Sequence, residues 1–235
     1  MTDPRFDLAL YVLPEAARLA RLPRRTLENW VHGYRYTARG RVVRARPVIA
    51  PAAEGPALSF VNLMEALTLA GFRKTGVSMQ RVRKAVDYAH GAIDAGHILA
   101  SKRLLTDGKE LFWEFQERSR DADTQLVNLT RGGQKAFPEA VMRYLRQMEW
   151  GTDLFAARWW PDADARKGSV VVDPRRAFGA PVIAGTGIRT EDLFQRFSAG
   201  EPLGELTEDY GLTLAQVEAA IRIEARLLQP ERLAA

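Results

Sequence analysis

"YVLPEAARLARLPRRTLENWVHGYRY", Tyr11–Tyr36, reads as two short helices joined by a sharp turn. Pro14 stands where a helix start accepts proline, because an N–H there would be unpaired anyway. Leu13, Ala17 and Ala20 share one helical face, and Leu22-Pro23 interrupts the pattern. A second helix from about Arg24 to Gly33 turns Leu27, Trp30 and Val31 inward, and the small alanines let the two helices cross closely. This is helix-turn-helix spacing. Any small helical hairpin could carry such a pattern. The polar groups separate the two readings: Arg24, Arg25, Thr26, Glu28 and Asn29 cluster near the start of the second helix, off its apolar stripe. Recognition helices present that end to base edges, where Arg can bond guanine twice and Asn can bond adenine twice.

Outward from this pair, "YRYTARGRVVRARPVIAP" places strand-forming Tyr34, Tyr36, Val42, Val43, Val48 and Ile49 around a turn at Ala38-Arg39-Gly40. The expectation is a hairpin, or wing, carrying Arg35, Arg39, Arg41, Arg44 and Arg46 with no acid among them. Arginine also solubilises edge hairpins. Its density here fits phosphate contact better, with nine arginines and the single acid Glu28 between Arg18 and Arg46. The first 100 residues carry a net +7 and the remainder −2, so a polyanion partner belongs to the first part.

"LSFVNLMEALTLAGFRKTGVSMQRVRKAVDYAHGAI" predicts two amphipathic helices. Ser59 caps the first, with Leu63, Leu67 and Ala70 inward; Ser78 caps the second, with Val82, Ala85, Val86 and Ala89 inward. The order helix, turn, helix, wing, helix, helix over about residues 10–90 resembles the MerR-type winged helix family. That resemblance implies DNA binding, usually as a dimer on a two-fold site. Relatives often continue into a long coiled-coil helix, whereas Gly91 and Gly96 break the helix here.

The pattern changes after His97. Thr106-Asp107-Gly108-Lys109 between apolar runs predicts a hairpin, and "PEAVMRYLRQM" a helix with Val141, Tyr144, Leu145 and Met148 on one side. "DLFAARWWP" and "GSVVVDP" predict two strands joined by the exposed loop "PDADARKG". Acid pairs at Asp121 and Asp162 lack a third partner. The three histidines show no ligand spacing, and no Ser-His-Asp arrangement is visible. No catalytic residue, metal or other cofactor is therefore expected. The chain has no cysteine, no ~20-residue apolar run and no signal-peptide pattern at its start. The expectation is a cytoplasmic protein away from the membrane.

The C-terminal stretch "FGAPVIAGTGIRTEDLFQRFSAGEPLGELTEDYGLTLAQVEAAIRIEARL" contains Gly185-Thr186-Gly187, which looks like a phosphate grip. A dinucleotide loop needs a third glycine where Thr190 stands, and Glu191 and Asp192 would repel phosphate. The loop instead reads as a hinge from an extended segment into a helix capped by Thr190, with both glycines supplying unusual backbone angles. Leu193, Phe194 and Phe197 are expected to face inward. A short helix follows with Leu203, Leu206 and Tyr210 aligned. The last helix starts in a capping box of Thr213 and Gln216 and buries Leu214, Val217, Ile221 and Leu228.

Residues from about Val170 to Ala225 resemble the domain-of-unknown-function 433 family, small helical domains of VapB-type antitoxins. Gly179, Pro181, Val182 and Ile183 carry the match; Gly187 replaces a frequent arginine, and Arg189 stands where proline or valine is common. The resemblance implies a two-domain antitoxin whose partners are operator DNA and a PIN-domain ribonuclease toxin. The middle and C-terminal parts would dimerise and hold the toxin, through Gly185, Thr186, Gly187, Arg189, Phe194, Phe197, Trp159 and Trp160. The alternative is a stand-alone regulator whose C-terminal half senses a ligand or protein. The expected architecture is α+β, mainly α: a winged helix-turn-helix over 1–95, a mixed segment with hairpin and helix over 96–168, and a three-helix domain over 169–235.

Overall fold

The computed structural model describes residues 2–38, 40–51, 57–92, 96–119, 125–130, 133–162 and 168–229. Helices α1 (Leu13–Leu19) and α2 (Arg24–His32) form the first pair, with Arg21 at φ 54 in the turn between them. Pro14 lies in the first turn of α1, and Ala16, Ala17 and Leu19 are buried. Leu27, Trp30 and Val31 are the buried face of α2. Strands β1 (Tyr34–Ala38) and β2 (Arg41–Ala45) pair antiparallel, with Arg35 opposite Arg44 and Tyr36 opposite Val43. Gly33 links α2 to β1 at φ 72; a Cβ there would lie 2.4 Å from the Ala45 carbonyl oxygen, so only glycine fits. Val48 and Ile49 do not extend the hairpin, although their β-branching favours strand. Both N–H groups donate to the Trp30 carbonyl, at 2.8 and 3.1 Å, and Ile49 is fully buried. Burial beneath α2 outweighs strand propensity at these two positions.

Helix α3 (Phe60–Lys74) starts in a capping box of Ser59 and Asn62. Its predicted amphipathicity is corrected by the structure: every residue from Phe60 to Phe72 is buried. The polar members are satisfied inside. Thr68 donates to the Met64 and Leu99 carbonyls at 3.1 and 2.8 Å, and the Asn62 amide donates to Glu65 at 3.0 Å. A helix buried all round is the centre of a core, and α3 serves that role. Helix α4 (Met79–Ala92) buries Val82, Ala85, Val86 and Ala89 as its spacing predicts.

The hairpin expected at Thr106–Lys109 is absent from the structure. Two short 3-10 turns, Ile98–Ala100 and Lys102–Leu104, lead into helix α5 (Asp107–Arg118). Asp107 and Glu110 favour that helix start, and Phe112 is fully buried against Phe72 and Phe137. The acid-glycine pair therefore opens a helix rather than a β-turn. After the short pair β3 (Asn128–Leu129) and β4 (Lys135–Ala136), helix α6 (Glu139–Arg146) packs along α3. The backbones approach so closely that a Cβ on Gly71 would meet Val141 Cα at 2.9 Å.

Strands β5 (Met148–Trp150), β6 (Ala156–Trp159), β7 (Val170–Val172) and β8 (Pro181–Ile183) form one antiparallel sheet in chain order. Helices α7 (Thr190–Ser198), α8 (Leu203–Tyr210) and α9 (Leu214–Leu227) follow, and α9 packs on both α7 and α8. The Thr213–Gln216 capping box is present. The inward face of α9 differs from the expectation: Ala219, Ala220, Ile223, Glu224 and Leu227 join Val217, while Leu214 and Leu228 are exposed. Thr190 is likewise not a cap. Arg189 holds the cap position, and the buried Thr190 hydroxyl donates to Glu224 at 2.5 Å and to the Pro181 carbonyl at 3.3 Å.

One apolar core runs from α1 to α9. The Tyr11 side chain is fully buried and its hydroxyl donates to the Gly179 carbonyl at 2.9 Å; burial raises its pKa far above the ordinary range, so it stays a neutral donor. Arg5 donates to Asp153 at 3.0 Å and to Asp3 at 3.1 Å. Both carboxyls are held below their ordinary pKa, chiefly by these bonds to Arg5. The fold is thus mixed α and β, mainly helical.

Candidate nucleic-acid interface

Helix α2 carries Arg24 and Arg25 on its exposed side. Arg24 is not free: its Nε donates to Glu28 at 2.7 Å, one turn away. Thr26 and Asn29 are half-buried and line a cleft of about 440 Å³ with Tyr34, Tyr36, Arg73 and Gln80. This cleft lies between α2, the hairpin and the start of α4. The structure therefore divides the candidate base-reading residues of α2, with Arg24 and Arg25 exposed at its start and Thr26 and Asn29 at the cleft.

The register of the hairpin sorts its arginines. Side chains alternate along a strand, so Arg35 and Arg44, which pair directly, share one face with Thr37 and Val42. Arg41 falls on the other face with Tyr36 and Val43. Arg35, Arg41 and Arg44 are all exposed. Two like charges directly opposite disfavour the bare hairpin and favour an anionic partner across that face. Arg46, also exposed, meets Asp87 of α4 at 3.1 Å; at 80% and 59% side-chain exposure this pair contributes little. Arg39 lies outside the described residues. Two strands alone are marginal in water. This hairpin is anchored by the Trp30 carbonyl and by the Gln80 amide, which donates to the Tyr36 hydroxyl.

Residues of α4 complete the site and were read from sequence only as one amphipathic helix. Arg83 is buried, with its guanidinium over the Tyr34 ring at 5.6 Å, and Lys84 is exposed beside it. No sequence signal marks Arg83: Arg81 and Arg83 flank the apolar stripe of α4, and tertiary packing buries both.

The C-terminal candidates are more scattered. Trp159 is core, 4% exposed, with its indole N–H donating to Gln147 at 3.3 Å. Trp160 donates to Glu149 at 3.2 Å and lines a shallow groove of about 150 Å³ with Arg158, Arg176 and Gly185. Phe194 is half-buried. Phe197, expected inward, is 40% exposed because the one buried residue of that helical turn is Leu193. Arg189 pairs with Glu191 at 2.5 Å. The Gly185-Thr186-Gly187 stretch is a tight turn: Thr186 N–H and hydroxyl both donate to the Ile183 carbonyl, at 3.0 and 2.9 Å, and Ile183 N–H donates to Ile188 at 2.9 Å. Gly185 has φ 82, whereas Gly187 has no positive φ, so only the first glycine supplies the special angle expected of both.

Among the described residues no three His, Asp or Glu side chains gather where they could hold a metal, and no helix is long and apolar enough to cross a membrane. The acid pair at Asp121 lies outside the described residues. Asp162 accepts from the Ser169 and Val170 N–H groups, at 2.8 and 3.3 Å, which ties the start of the β6–β7 connection to its end.

Comparison with known proteins places this geometry. Residues 9–86 match the family described as "Putative DNA-binding HTH domain", and residues 170–222 the family described as "Protein of unknown function (DUF433)". Over 229 residues the chain is 38% identical to "Putative antitoxin VapB45" of Mycobacterium tuberculosis, covering 92% of this chain and 94% of that protein. The chain belongs to the same family as VapB45. A second protein of that organism, "Uncharacterized protein Rv2308", is 27% identical over 222 residues, covering 92% and 90%. The crystal structure of Rv2018 from Mycobacterium tuberculosis is similar throughout, with a TM-score of 0.71 and 35% identity over 92% of this chain and 99% of that one. Like VapB45, the chain is matched along nearly its whole length, so the helix-turn-helix part and the C-terminal part belong to one shared design.

Proposed function

We propose that this protein is the antitoxin of a type II toxin–antitoxin pair. It binds and neutralises a PIN-domain ribonuclease toxin in the cytoplasm, and as a homodimer it binds operator DNA to repress its own operon. The observation that carries this reading is the near full-length match to VapB45, joined to a wing and recognition helix rich in exposed arginine. Arg24, Arg25, Thr26 and Asn29 read bases, and Arg35, Arg39, Arg41, Arg44 and Arg46 hold phosphates. Toxin contacts fall to the C-terminal side, where Trp160 and Gly185 share a groove and Phe194 and Phe197 lie on α7. Neutralisation by burial of a partner's surface needs no catalytic group of its own.

Co-purification from the native cell tests it. A PIN-type ribonuclease should accompany the protein and arrest growth when expressed alone, with rescue on co-expression. If no such ribonuclease appears and the neighbouring gene product is harmless, the chain is a stand-alone winged-helix regulator instead.

A further inference from the structure

Among the described residues no counter-charge touches Arg83. It is 9% exposed, all three guanidinium nitrogens are buried, and among the described residues no acceptor meets any of them. The Tyr34 ring lies 5.6 Å from the guanidinium carbon. A ring face steadies a cation but leaves its N–H donors unused. Desolvating a cation without an acceptor is unfavourable, so such a group is retained for a reason.

The surroundings supply one. Arg83 lines a cleft of about 500 Å³ between β2 and α4, together with Arg44, Arg46, Lys84 and His90. Among the described residues the one carboxylate lining that cleft is Asp87, and Arg46 already engages it. A strong positive excess therefore surrounds a rigid, forked donor. Guanidinium matches two oxygens of a phosphate, and the flexible cations at the mouth suit its remaining charge.

We propose that the cleft between the hairpin and α4 is a phosphate-binding site, with Arg83 as its floor and Arg44 and Lys84 as its rim. The phosphate comes either from the backbone of a duplex lying along the wing or from a free phosphorylated compound that enters the cleft. The first source rests on the DNA-binding reading above; the second does not.

The test uses the full-length protein, an arbitrary-sequence duplex titrated over a range of salt, and inorganic pyrophosphate titrated by calorimetry. For a duplex phosphate, Arg83→Gln weakens binding to every sequence about equally, and the salt slope falls by about one. For a free phosphate, the wild type binds pyrophosphate and Arg83→Gln loses at least about tenfold in affinity, with the duplex slope unchanged. Should Arg83→Gln fail to fold, the rim variant Arg44→Gln with Lys84→Gln carries the same two measurements, since both side chains are exposed. Folded variants that keep the wild-type slope and the wild-type pyrophosphate response overturn the site. If the wild type binds no duplex, the operator reading falls and the pyrophosphate titration alone decides this one.

Discussion

Arg18 of α1 and Glu224 of α9 are 206 residues apart in sequence and 2.8 Å apart in space. Glu224 is 3% exposed, and its second oxygen accepts from the Thr190 hydroxyl of α7. A single buried carboxylate thus ties the first helix of the DNA-reading pair to two helices of the C-terminal part. Arg21 adds a bond to the Gln229 carbonyl at 3.2 Å, close by.

Removing either end of this tie should destabilise the whole chain. Arg18→Ala strands a buried charge and Glu224→Gln removes it; each is expected to lower unfolding free energy by about 1–3 kcal/mol in urea titration. The two changes should be non-additive by at least about 0.5 kcal/mol, as for groups in direct contact. Strict additivity would show that the bond is ornamental.

The glycine turn before α7 gives a contrast between near neighbours. Gly185 sits at φ 82, so Gly185→Val should cost about 1–3 kcal/mol from backbone strain. Gly187 has no positive φ, and no other group lies within 4 Å of a Cβ placed on it, so Gly187→Val should fall within about 0.5 kcal/mol of wild type. Equal losses in thermal melting would mean that the turn geometry is not the reason for the first glycine.

On α2, Arg25 and Asn29 should behave differently toward DNA. Arg25→Ala is expected to weaken operator binding more than Arg24→Ala, because Arg24 is already committed to Glu28. Asn29→Ala should cost about 1–3 kcal/mol at one base pair and relax specificity there, without changing the salt slope. Band-shift titrations on operator variants at several salt concentrations check this, and salt-insensitive wild-type binding would remove the phosphate-contact premise.

His97 provides a pH signature. Burial pulls its pKa down, but the hydrogen bond and charge of Glu65, 3.2 Å away, prevail and raise it above the ordinary value near 6.5. A raised pKa means that the folded state binds the proton more tightly. This stabilisation is fully present below about pH 6.5 and is lost as pH rises through the folded value. His97→Gln should therefore cost more stability near pH 6 than near pH 8.5, measured in urea. The same loss at both pH values would rule out the linkage.

The parts of this fold that could be read from the chain are those where local signals and tertiary burial agree. In α1 and α2 the proline, the alanines and the apolar stripe all point one way, and the structure keeps every inward position except the half-buried Leu13. The reading failed where tertiary context reversed a local signal. Asp107-Gly108 resembles a turn until Phe112 is seen buried between Phe72 and Phe137. Helix α3 reads as one-sided from Leu63, Leu67 and Ala70, yet its polar Asn62, Glu65 and Thr68 each find a partner inside the core. Thr190 has the chemistry of a cap and spends it on Glu224 instead. At the candidate interface the hairpin arginines stood out by number. Arg83 did not, because Arg81 and Arg83 only flank the apolar stripe of a basic helix and their burial leaves no trace in spacing.

The bond between Tyr11 and Gly179 has a consequence for how the protein is made. Tyr11 is fully buried, yet the carbonyl that receives its hydroxyl lies 168 residues further along the chain. At translation rates of about 5–20 residues per second, that acceptor arrives roughly 10–30 s after the tyrosine. Until then the Tyr11 hydroxyl lacks that acceptor, and a chain cut short before Gly179 never supplies it. The burial of Tyr11 is thus completed by the segment between β7 and β8, not by the helix pair that follows it in the chain.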